Sequence, residues 1–196
     1  TPQTVTVTGA DDSIIDGTIT SIATVAVDDA NSDNDFDAVA DQTVSVDTTD
    51  DDVAGFTIVE LDGATEVDES GTTDTFTVVL DAQPSDNVVI AMSSSDIGEA
   101  TISGTISFTP ANWDTPQTVT VTGVDENTID GDQTSTITIT IVDSISDSDF
   151  SNVADQTVSV VTTDDDAAGF TIEETEGSTE VDESGTTDTF TVVLDA

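Results

Sequence analysis

Two runs of three adjacent aspartates are the residues in this sequence whose type and spacing most directly imply chemistry. They lie at 50–52 and 164–166, where each closes an alternating segment, and they are separated by 114 positions. Adjacent carboxylates repel one another by roughly 1 kcal/mol per pair in water and by about 3 kcal/mol at an effective dielectric near 20. A folded chain keeps such a cluster at low cost only when cations lie against it. The triplets therefore predict cation binding.

The overall composition carries the same signal. The 196 residues include 43 Asp and Glu and no Lys, Arg or His, which gives a formal charge of −43. No salt bridge between side chains can form, and such a charge resists compaction unless it is screened. Either a halophile-type acidic surface or binding of multivalent cations would explain it. Hard carboxylate oxygens suit Ca²⁺ best among the multivalent ions, so we expect Ca²⁺ as the cofactor.

The missing residue types exclude several functions. Without His, Cys, Lys or Tyr, only carboxylates and hydroxyls are left for catalysis, and Ser70 and Ser184 have no base to activate them. Nucleic-acid binding through phosphates needs basic groups that the chain lacks. The sequence has no apolar run long enough to cross a membrane and no cysteine for a disulfide. We therefore predict a non-enzymatic protein, with no nucleic-acid partner and no membrane insertion of this segment.

The chain repeats itself. TPQTVTVTG occurs at 1–9 and again at 115–123, and about 59 of the 82 positions aligned at this shift are identical. Such a fixed period is typical of tandem arrays. We predict that 1–52 is the C-terminal part of one repeat, 53–166 a complete repeat and 167–196 the N-terminal part of the next, in a window on a longer polypeptide. The two outer parts together lack a counterpart of 83–114, so strand exchange between copies is not expected to complete a sandwich.

Alternating β-branched residues predict seven strands in the complete repeat. They lie at 55–60, 74–82, 87–95, 100–110, 117–124, 134–144 and 155–164. The predicted fold is all-β, with tandem antiparallel immunoglobulin-like β-sandwiches of about seven strands per repeat. The expected core consists of Phe56, Phe76, Val78, Leu80, Val88, Ile90, Ile106, Phe108, Trp113, Val119, Val121, Ile137, Ile139 and Val158.

Strand alternation also sorts the acidic loops, because every second connection then lies at the same end of the sandwich. One end collects Glu69, Asp96, Glu99, Asp125, Glu126, Asp130, Asp132, Asp164, Asp165 and Asp166. The other end carries Asp86, Asp114, Asp147 and Asp149. Carboxylates that converge from four separate segments favour a Ca²⁺ site at the first end. The D-x-D pattern of Asp33, Asp35 and Asp37, with its partial counterpart at Asp147 and Asp149, either bridges units or is a solvated loop.

The order of VDES (67–70), FTPANWDTPQTVTVTGVDENTIDGDQ (108–133) and a closing DDD resembles Calx-beta and Calx-beta-like modules. These occur in sodium/calcium exchanger regulatory regions and, in tandem, in the RTX-type extender regions of large bacterial surface adhesins. The resemblance implies Ca²⁺ binding by an acidic cluster at one end of the sandwich. The implied ligands are Glu69, Asp96, Asp125, Glu126, Asp130, Asp164, Asp165 and Asp166 in the complete repeat, Asp11, Asp12, Asp16, Asp50, Asp51 and Asp52 in the first part, and Glu183 in the last.

The functional hypothesis that follows is an extracellular, Ca²⁺-rigidified spacer in a long surface adhesin or fibre, located at the cell surface or in a secreted matrix. Its partners would be the neighbouring repeats of the same chain. Two alternatives remain open: a filament or matrix protein that self-associates into fibres, and a module that recognises carbohydrate or a host protein. A halophilic origin would explain the acidity without specific ions.

Overall fold

Strands dominate the computed structural model, which describes residues 1–61 and 63–195. Residues 62 and 196, which fall in the predicted second and third units, lie outside the described residues. The strands are β1 (Ile19–Val25), β2 (Gln42–Thr48), β3 (Phe56–Glu60), β4 (Thr65–Asp68), β5 (Thr73–Leu80), β6 (Val88–Ser94), β7 (Ala100–Ile102), β8 (Thr105–Phe108), β9 (Gln117–Gly123), β10 (Gln133–Ile141), β11 (Gln156–Thr163), β12 (Gly169–Glu174) and β13 (Phe190–Asp195).

Helical structure in the described part of the chain is limited to three single-turn 3-10 helices. They lie at Asn34–Phe36, Asp143–Ile145 and Ser148–Phe150. None of the helices found there has the length and hydropathy that crossing a lipid bilayer requires.

Two sheets form the central β-sandwich. One has the strand order β3-β5-β9-β7 and the other β4-β11-β10-β6-β8. The alternating residues of these strands place one apolar row between the sheets, where Phe76, Phe108 and Phe150 are completely buried. The predicted all-β sandwich is confirmed. The predicted core is buried except for Ile106 and Trp113, which are only partly buried.

The strand count differs from the prediction in two places. The segment 100–110 was expected as one strand, but Gly104 adopts a positive φ of 57° and divides it. As a result β7 pairs with β9 in one sheet while β8 pairs with β6 in the other. The short strand β4 was not predicted, and it pairs with β11 in the only parallel arrangement among the described sheets. The sandwich therefore has nine strands.

A two-stranded hairpin flanks the sandwich on each side in sequence. In β1–β2, Ala23 faces Val44, which reproduces the pairing of Ile137 with Val158 in β10–β11. The β12–β13 hairpin repeats the register of β3–β5 in the same way. The two hairpins thus keep the pairing of the complete repeat, whereas residues 1–9, which are identical in sequence to 115–123, form no strand. The exact bounds of the three units stay a prediction.

Asp147 closes one end of the sandwich. Its side chain is 4% exposed, and Oδ2 accepts hydrogen bonds from the backbone N–H of Ser85 at 2.6 Å and of Asp86 at 2.8 Å. Oδ1 accepts from the backbone N–H of Asp149 at 3.0 Å. Burial alone would raise the pKa of Asp147, but these donors hold it below its ordinary value. Asp147 is therefore a buried cap, neither a bridge between units nor a solvated loop residue.

We expect Asp147→Asn to destabilise the sandwich by about 2 kcal/mol, because an amide cannot replace an ion that accepts several hydrogen bonds. The measurement is urea unfolding followed by the fluorescence of Trp113, the single tryptophan. Asp33→Asn is the matched control. Asp33 is the counterpart of Asp147 in the first unit, where it is exposed and accepts only from the Asp35 N–H. Equal destabilisation by the two variants would contradict the assignment.

Candidate cation site

Glu69 lies at the opposite end of the sandwich, at the exit of β4. The parallel pairing of β4 with β11 continues into this residue, whose N–H donates to the Thr163 carbonyl at 3.2 Å. The backbone of Asp68 passes so close to Gly123 that a Cβ there would lie 2.0 Å from the Asp68 carbonyl oxygen. Only glycine fits this crossing. The close approach leaves the Glu69 side chain with no solvent exposure.

The buried carboxylate of Glu69 is the centre of the acidic cluster. Neither of its oxygens has a hydrogen-bond partner among the described residues, and the backbone N–H of Asp165 only partly offsets the rise in its pKa. One carboxylate oxygen each from Glu69, Glu126 and Asp130 lie within 4.8 Å of one another, and the same holds for Glu69, Asp164 and Asp166. Glu69 belongs to both groups. Buried polar groups are normally hydrogen-bonded, so this arrangement indicates a binding position for a positive ion.

The mutual repulsion of these acids appears in their pKa values. Burial, followed by the charge of Asp164, raises the pKa of Glu69. Burial and the charges of Asp130 and Asp96 raise the pKa of Glu99. Burial and the neighbouring charge of Asp164 also raise the pKa of Asp166. Each shift means that a positive partner, whether a proton or a metal ion, is favoured at this end of the sandwich.

Asp164 connects the triplet to the acidic loop between β9 and β10. Its Oδ2 accepts from the Gly131 N–H at 2.7 Å, and its Oδ1 accepts from the Asp166 N–H at 2.8 Å. Glu126 fixes the other side of the loop by accepting from the Thr128 N–H at 3.0 Å. These bonds use some of the carboxylate lone pairs and leave the others directed to the cluster. The loop therefore holds its ligands in place through its own backbone.

The other predicted ligands of the complete repeat lie around this cluster. Asp125 and Asp165 are exposed, and Asp96 accepts from the Gly98 N–H at 2.9 Å. Glu99 was grouped with this end by the alternation of strands but was not among the implied ligands. Its Oε2 is buried without a partner. The sequence signal for Glu99 was its place in the 94–100 loop, which the strand order brings to the same end.

The first partial unit contains a second acidic concavity. It is lined by Asp11, Asp12, Asp16, Asp50, Asp51 and Asp52. Asp50 accepts from the backbone N–H groups of Asp16 and Gly17 at 2.9 and 2.7 Å, in the way that Asp164 holds the loop of the complete repeat. Glu183, the counterpart of Glu69 in the third unit, is exposed. The structure thus brings the predicted ligands of the first unit together and leaves Glu183 apart from them.

Comparisons with known proteins find similarity among solved structures only. A scan against protein-family models finds no match, and neither does a search of curated proteins. The chain is similar to the apo form of the Calx CBD1 domain, with a TM-score of 0.40 and 18% identity over 57% of this chain and 98% of that one. It is similar to CBD12 from CALX1.2, with a TM-score of 0.40 and 12% identity over 70% and 68% of the two chains.

A third similarity is to domains 1–6 of the surface layer protein SbsC, with a TM-score of 0.39 and 17% identity over 78% of this chain and 24% of that one. Similarity at this level carries no argument about the fold, which is defined here by the pairing of the strands.

In EDTA, we expect the melting temperature to rise as the pH is lowered from 7 toward 5. The raised pKa values of Glu69, Glu99 and Asp166 mean that the folded state binds protons that the unfolded state releases. Their contribution to stability is complete below the ordinary carboxyl pKa and is lost as the pH rises through the folded-state values. Stability should fall again in stronger acid, as Asp147, with its lowered pKa, becomes protonated.

Glu69→Gln tests whether this pH dependence arises at the cluster. Removing the buried charge should raise the melting temperature at pH 7 in EDTA by several degrees and flatten its dependence on pH, as followed by Trp113 fluorescence. Glu183→Gln makes the same change in an identical VDES segment at an exposed position and should have no effect. Parallel pH profiles for wild type and Glu69→Gln would mean that the acid response comes from general charge repulsion.

Proposed function

We propose that this chain is a Ca²⁺-binding structural repeat, a non-catalytic extracellular spacer in a long surface adhesin or fibre that the ion stiffens. The observation that carries the proposal is the Glu69 carboxylate, which is fully buried, has no hydrogen-bond partner and is shared by two groups of three carboxylates.

A metal ion fits this position better than any partner from the chain itself. A buried ion without a partner is strongly unfavourable, and the sequence contains no basic side chain to neutralise Glu69. Protonation would relieve the repulsion only partly, because the ordinary pKa of a glutamate is 4.5 and several acids compete for protons. An ion between Glu69 and its neighbours would offset several negative charges at once.

The donor set indicates which ion this is. All the ligands in the cluster are carboxylate oxygens, and with no His or Cys in the sequence softer nitrogen and sulfur ligands are unavailable to Zn²⁺ or Cu²⁺. Oxygens within 4.8 Å of one another can share one ion, since Ca²⁺ binds oxygen at about 2.3 to 2.6 Å. Ca²⁺ also accepts the irregular arrangement of six to eight ligands that separate loops supply, whereas Mg²⁺ requires near-octahedral geometry.

The repeat explains why such a site would serve a structural role. The cluster joins the β9–β10 loop to the triplet through which the chain leaves the sandwich, and Asp164 contacts both. An ion there would stiffen the exit toward the next unit. The high identity between successive repeats favours constant spacing over varied binding loops. The resemblance of these segments to Calx-beta modules supports the same function.

We expect millimolar Ca²⁺ to raise the melting temperature of the 196-residue chain well above its value in EDTA. Saturation at 100 times Kd contributes about 2.7 kcal/mol, which corresponds to about 10 °C or more for a domain of this size. Trp113 fluorescence reports unfolding of the complete repeat. Glu69→Gln should remove most of the Ca²⁺ effect, whereas Glu183→Gln should retain it.

Mg²⁺ and high NaCl are the ionic controls in this experiment. General screening of the −43 charge would stabilise the protein in NaCl as much as in Ca²⁺ and would act equally on both variants. That outcome would favour a halophile-type surface and contradict a specific site.

Exposed apolar residues on the flanking units favour a second function, self-association. Phe190 is 53% exposed and Leu194 79% exposed, while their counterparts Phe76 and Leu80 are 0% and 3% exposed. In the complete repeat neighbouring strands of both sheets cover these positions, so a flanking unit leaves them open to any partner that supplies such strands. The other exposed apolar residues whose counterparts are buried in the complete repeat are Val5, Val7, Val25, Phe36, Val44, Phe170, Val181 and Val192.

The sheet order is compatible with a second copy as the partner in this proposal. The counterpart of 83–114 that the two flanking units lack contains β6, β7 and β8, and these strands lie together at one edge of the two sheets. The remaining strands, β3-β5-β9 and β4-β11-β10, are contiguous. Residues 167–195 of one copy and 1–52 of another therefore contain counterparts of three neighbouring strands in each sheet. Such a unit would still lack β6, β7 and β8, so the expectation that exchange between copies does not complete a sandwich stays a prediction.

We expect the chain to form head-to-tail oligomers whose mass, measured by light scattering, rises with protein concentration in Ca²⁺ or high salt, where repulsion is screened. Phe190→Asp should keep the chain monomeric by placing a charge on the apolar face. Ser178→Asp adds the same charge where both Ser178 and its counterpart Ala64 are exposed, and it should assemble like the wild type. A monomeric wild type at all concentrations would contradict self-association.

A further inference from the structure

The first partial unit contacts the complete sandwich through a short loop segment, residues 13–15. The Gln83 N–H donates to the Ser13 carbonyl at 2.7 Å, and Ile14 forms a parallel β-bridge with Gln83. Ile15 is half-buried and packs against the core of the complete repeat. We propose that this segment is a docking hook with which one repeat binds the end of the repeat that follows it.

The acceptor is a built surface of the complete repeat. Gln83 is fixed by its own side chain, whose Nε2 donates to the Pro110 carbonyl at 2.7 Å, and this fixes the backbone N–H that receives the hook. Beside it, Ile15 lies in a groove with two residues of the complete repeat. Ala54 comes just before β3, and Val153 lies between the 3-10 helix at Ser148–Phe150 and β11. The hook thus combines a backbone hydrogen bond with an apolar anchor, as in the addition of a short strand segment to a binding surface.

The complete repeat carries the same hook at residues 127–129. In the first unit, the Ile14 N–H donates to Asp12 Oδ1 at 2.9 Å. In the complete repeat, the Thr128 N–H donates to Glu126 Oε1 at 3.0 Å. The corresponding turn bond is thus present in both loops, so part of the hook's conformation is set before it docks, which reduces the conformational freedom lost on docking.

Both hooks are also anchored in the same way to the chain that leads into the next repeat. Gly17, at a φ of 70°, donates to Asp50, and Gly131, at a φ of 75°, donates to Asp164. Because Asp50 and Asp164 belong to the exit triplets, this bond holds the hook next to the start of the following repeat. This glycine-to-aspartate hydrogen bond occurs in both repeats, so each would present a hook beside the repeat that follows.

Docking changes the environment of the anchor residue. Ile15, which has an acceptor, is half-buried, whereas its counterpart Ile129 is 51% exposed. The partner that fits Ile129 is a surface like the one formed by Gln83, Ala54 and Val153, in a repeat that follows. Docking onto such a surface explains why both repeats have an isoleucine, Ile15 and Ile129, at this position of the loop.

The hook is adjacent to the proposed ion ligands. Asp12 and Asp16 flank residues 13–15 and line the acidic concavity of the first unit, and their counterparts Glu126 and Asp130 belong to the cluster around Glu69. An ion on one side of the loop would restrain the segment that docks on the other side. This coupling rests on the proposed Ca²⁺ function, whereas the docking itself rests on the contacts of residues 13–15.

Hydrogen exchange of the Gln83 amide, followed by NMR on the 196-residue chain, tests the docking. We expect Ile15→Ser to accelerate this exchange about tenfold or more, because opening the junction exposes the N–H to water. Ile129→Ser makes the same change in the undocked hook and should leave the amide protected. The Phe76 amide in β5 should exchange at the same rate in both variants. An unprotected Gln83 amide in the wild type, or equal effects of the two variants, would overturn the docking.

The same measurement in EDTA and in Ca²⁺ separates the two proposals. Protection of the Gln83 amide in both conditions, with slower exchange in Ca²⁺, supports docking and its coupling to the ion. Protection that is equal in the two conditions supports docking and overturns the coupling.

A disulfide provides a second test that does not depend on removing the anchor. The sequence has no cysteine, and residues paired across a β-bridge have Cα atoms at a separation that a disulfide can span. We expect Ile14→Cys with Gln83→Cys to form an intramolecular disulfide readily under mild oxidation. Thr128→Cys with Gln83→Cys, which uses the counterpart of Ile14 in the second hook, should remain reduced. Equal rates of oxidation in the two double variants would contradict the docking.

Discussion

A buried negative charge without a positive partner in the chain is the constraint on which this structure depends. Most folded proteins relieve such a charge with a lysine, arginine or histidine, and this sequence has none. Glu69 is nevertheless completely buried, and this burial, followed by the charge of the acids around it, raises its pKa. Folding and ion binding are therefore expected to be linked, because the same side chains that destabilise the ion-free sandwich would bind the ion.

Each end of the sandwich contains a buried carboxylate, and the two carboxylates differ in their hydrogen-bond partners. Asp147 is nearly as buried as Glu69, but backbone N–H groups and a serine hydroxyl occupy its oxygens. The charged groups that act on Glu69 are other carboxylates, and its oxygens have no hydrogen-bond partner among the described residues. At one end the chain itself satisfies the buried carboxylate, and at the other the buried carboxylate is left without a partner. This difference gives each repeat a direction, with the acidic cluster at the exit of the chain and the Asp147 end facing the preceding unit.

Alternation and loop order predicted much of this arrangement from the sequence. Residues that alternate between apolar and polar along each strand identified the sandwich and most of its core. The rule that every second connection lies at the same end of the sandwich grouped Glu69 with Asp130 and Asp164. Features that depend on contacts distant in sequence were missed. Glu69 is buried next to the close passage of Asp68 by Gly123, a contact between distant segments, and the parallel pairing of β4 has no local signature. At Gly104 the chain passes from the sheet that contains β7 to the sheet that contains β8. The alternating pattern of residues 100–110 is continuous across this point and does not reveal the change.

Because the sequence repeats, equivalent residues can be compared between the complete repeat and the incomplete flanking units. Glu69 and Glu183 share the segment VDES, yet one is buried and the other exposed. Phe76 and Phe190 share the segment TDTFTVVL and differ in the same way. The hairpins keep their register in both settings, but residues 1–9 form no strand where the identical 115–123 contain β9, so only the hairpin pairing is set by local sequence. Burial of the acid requires β11 beside β4, and that neighbour comes from the distant C-terminal half of the repeat. The acidic cluster is therefore a product of tertiary packing, and a repeat can bind an ion through Glu69 only after its two halves have come together.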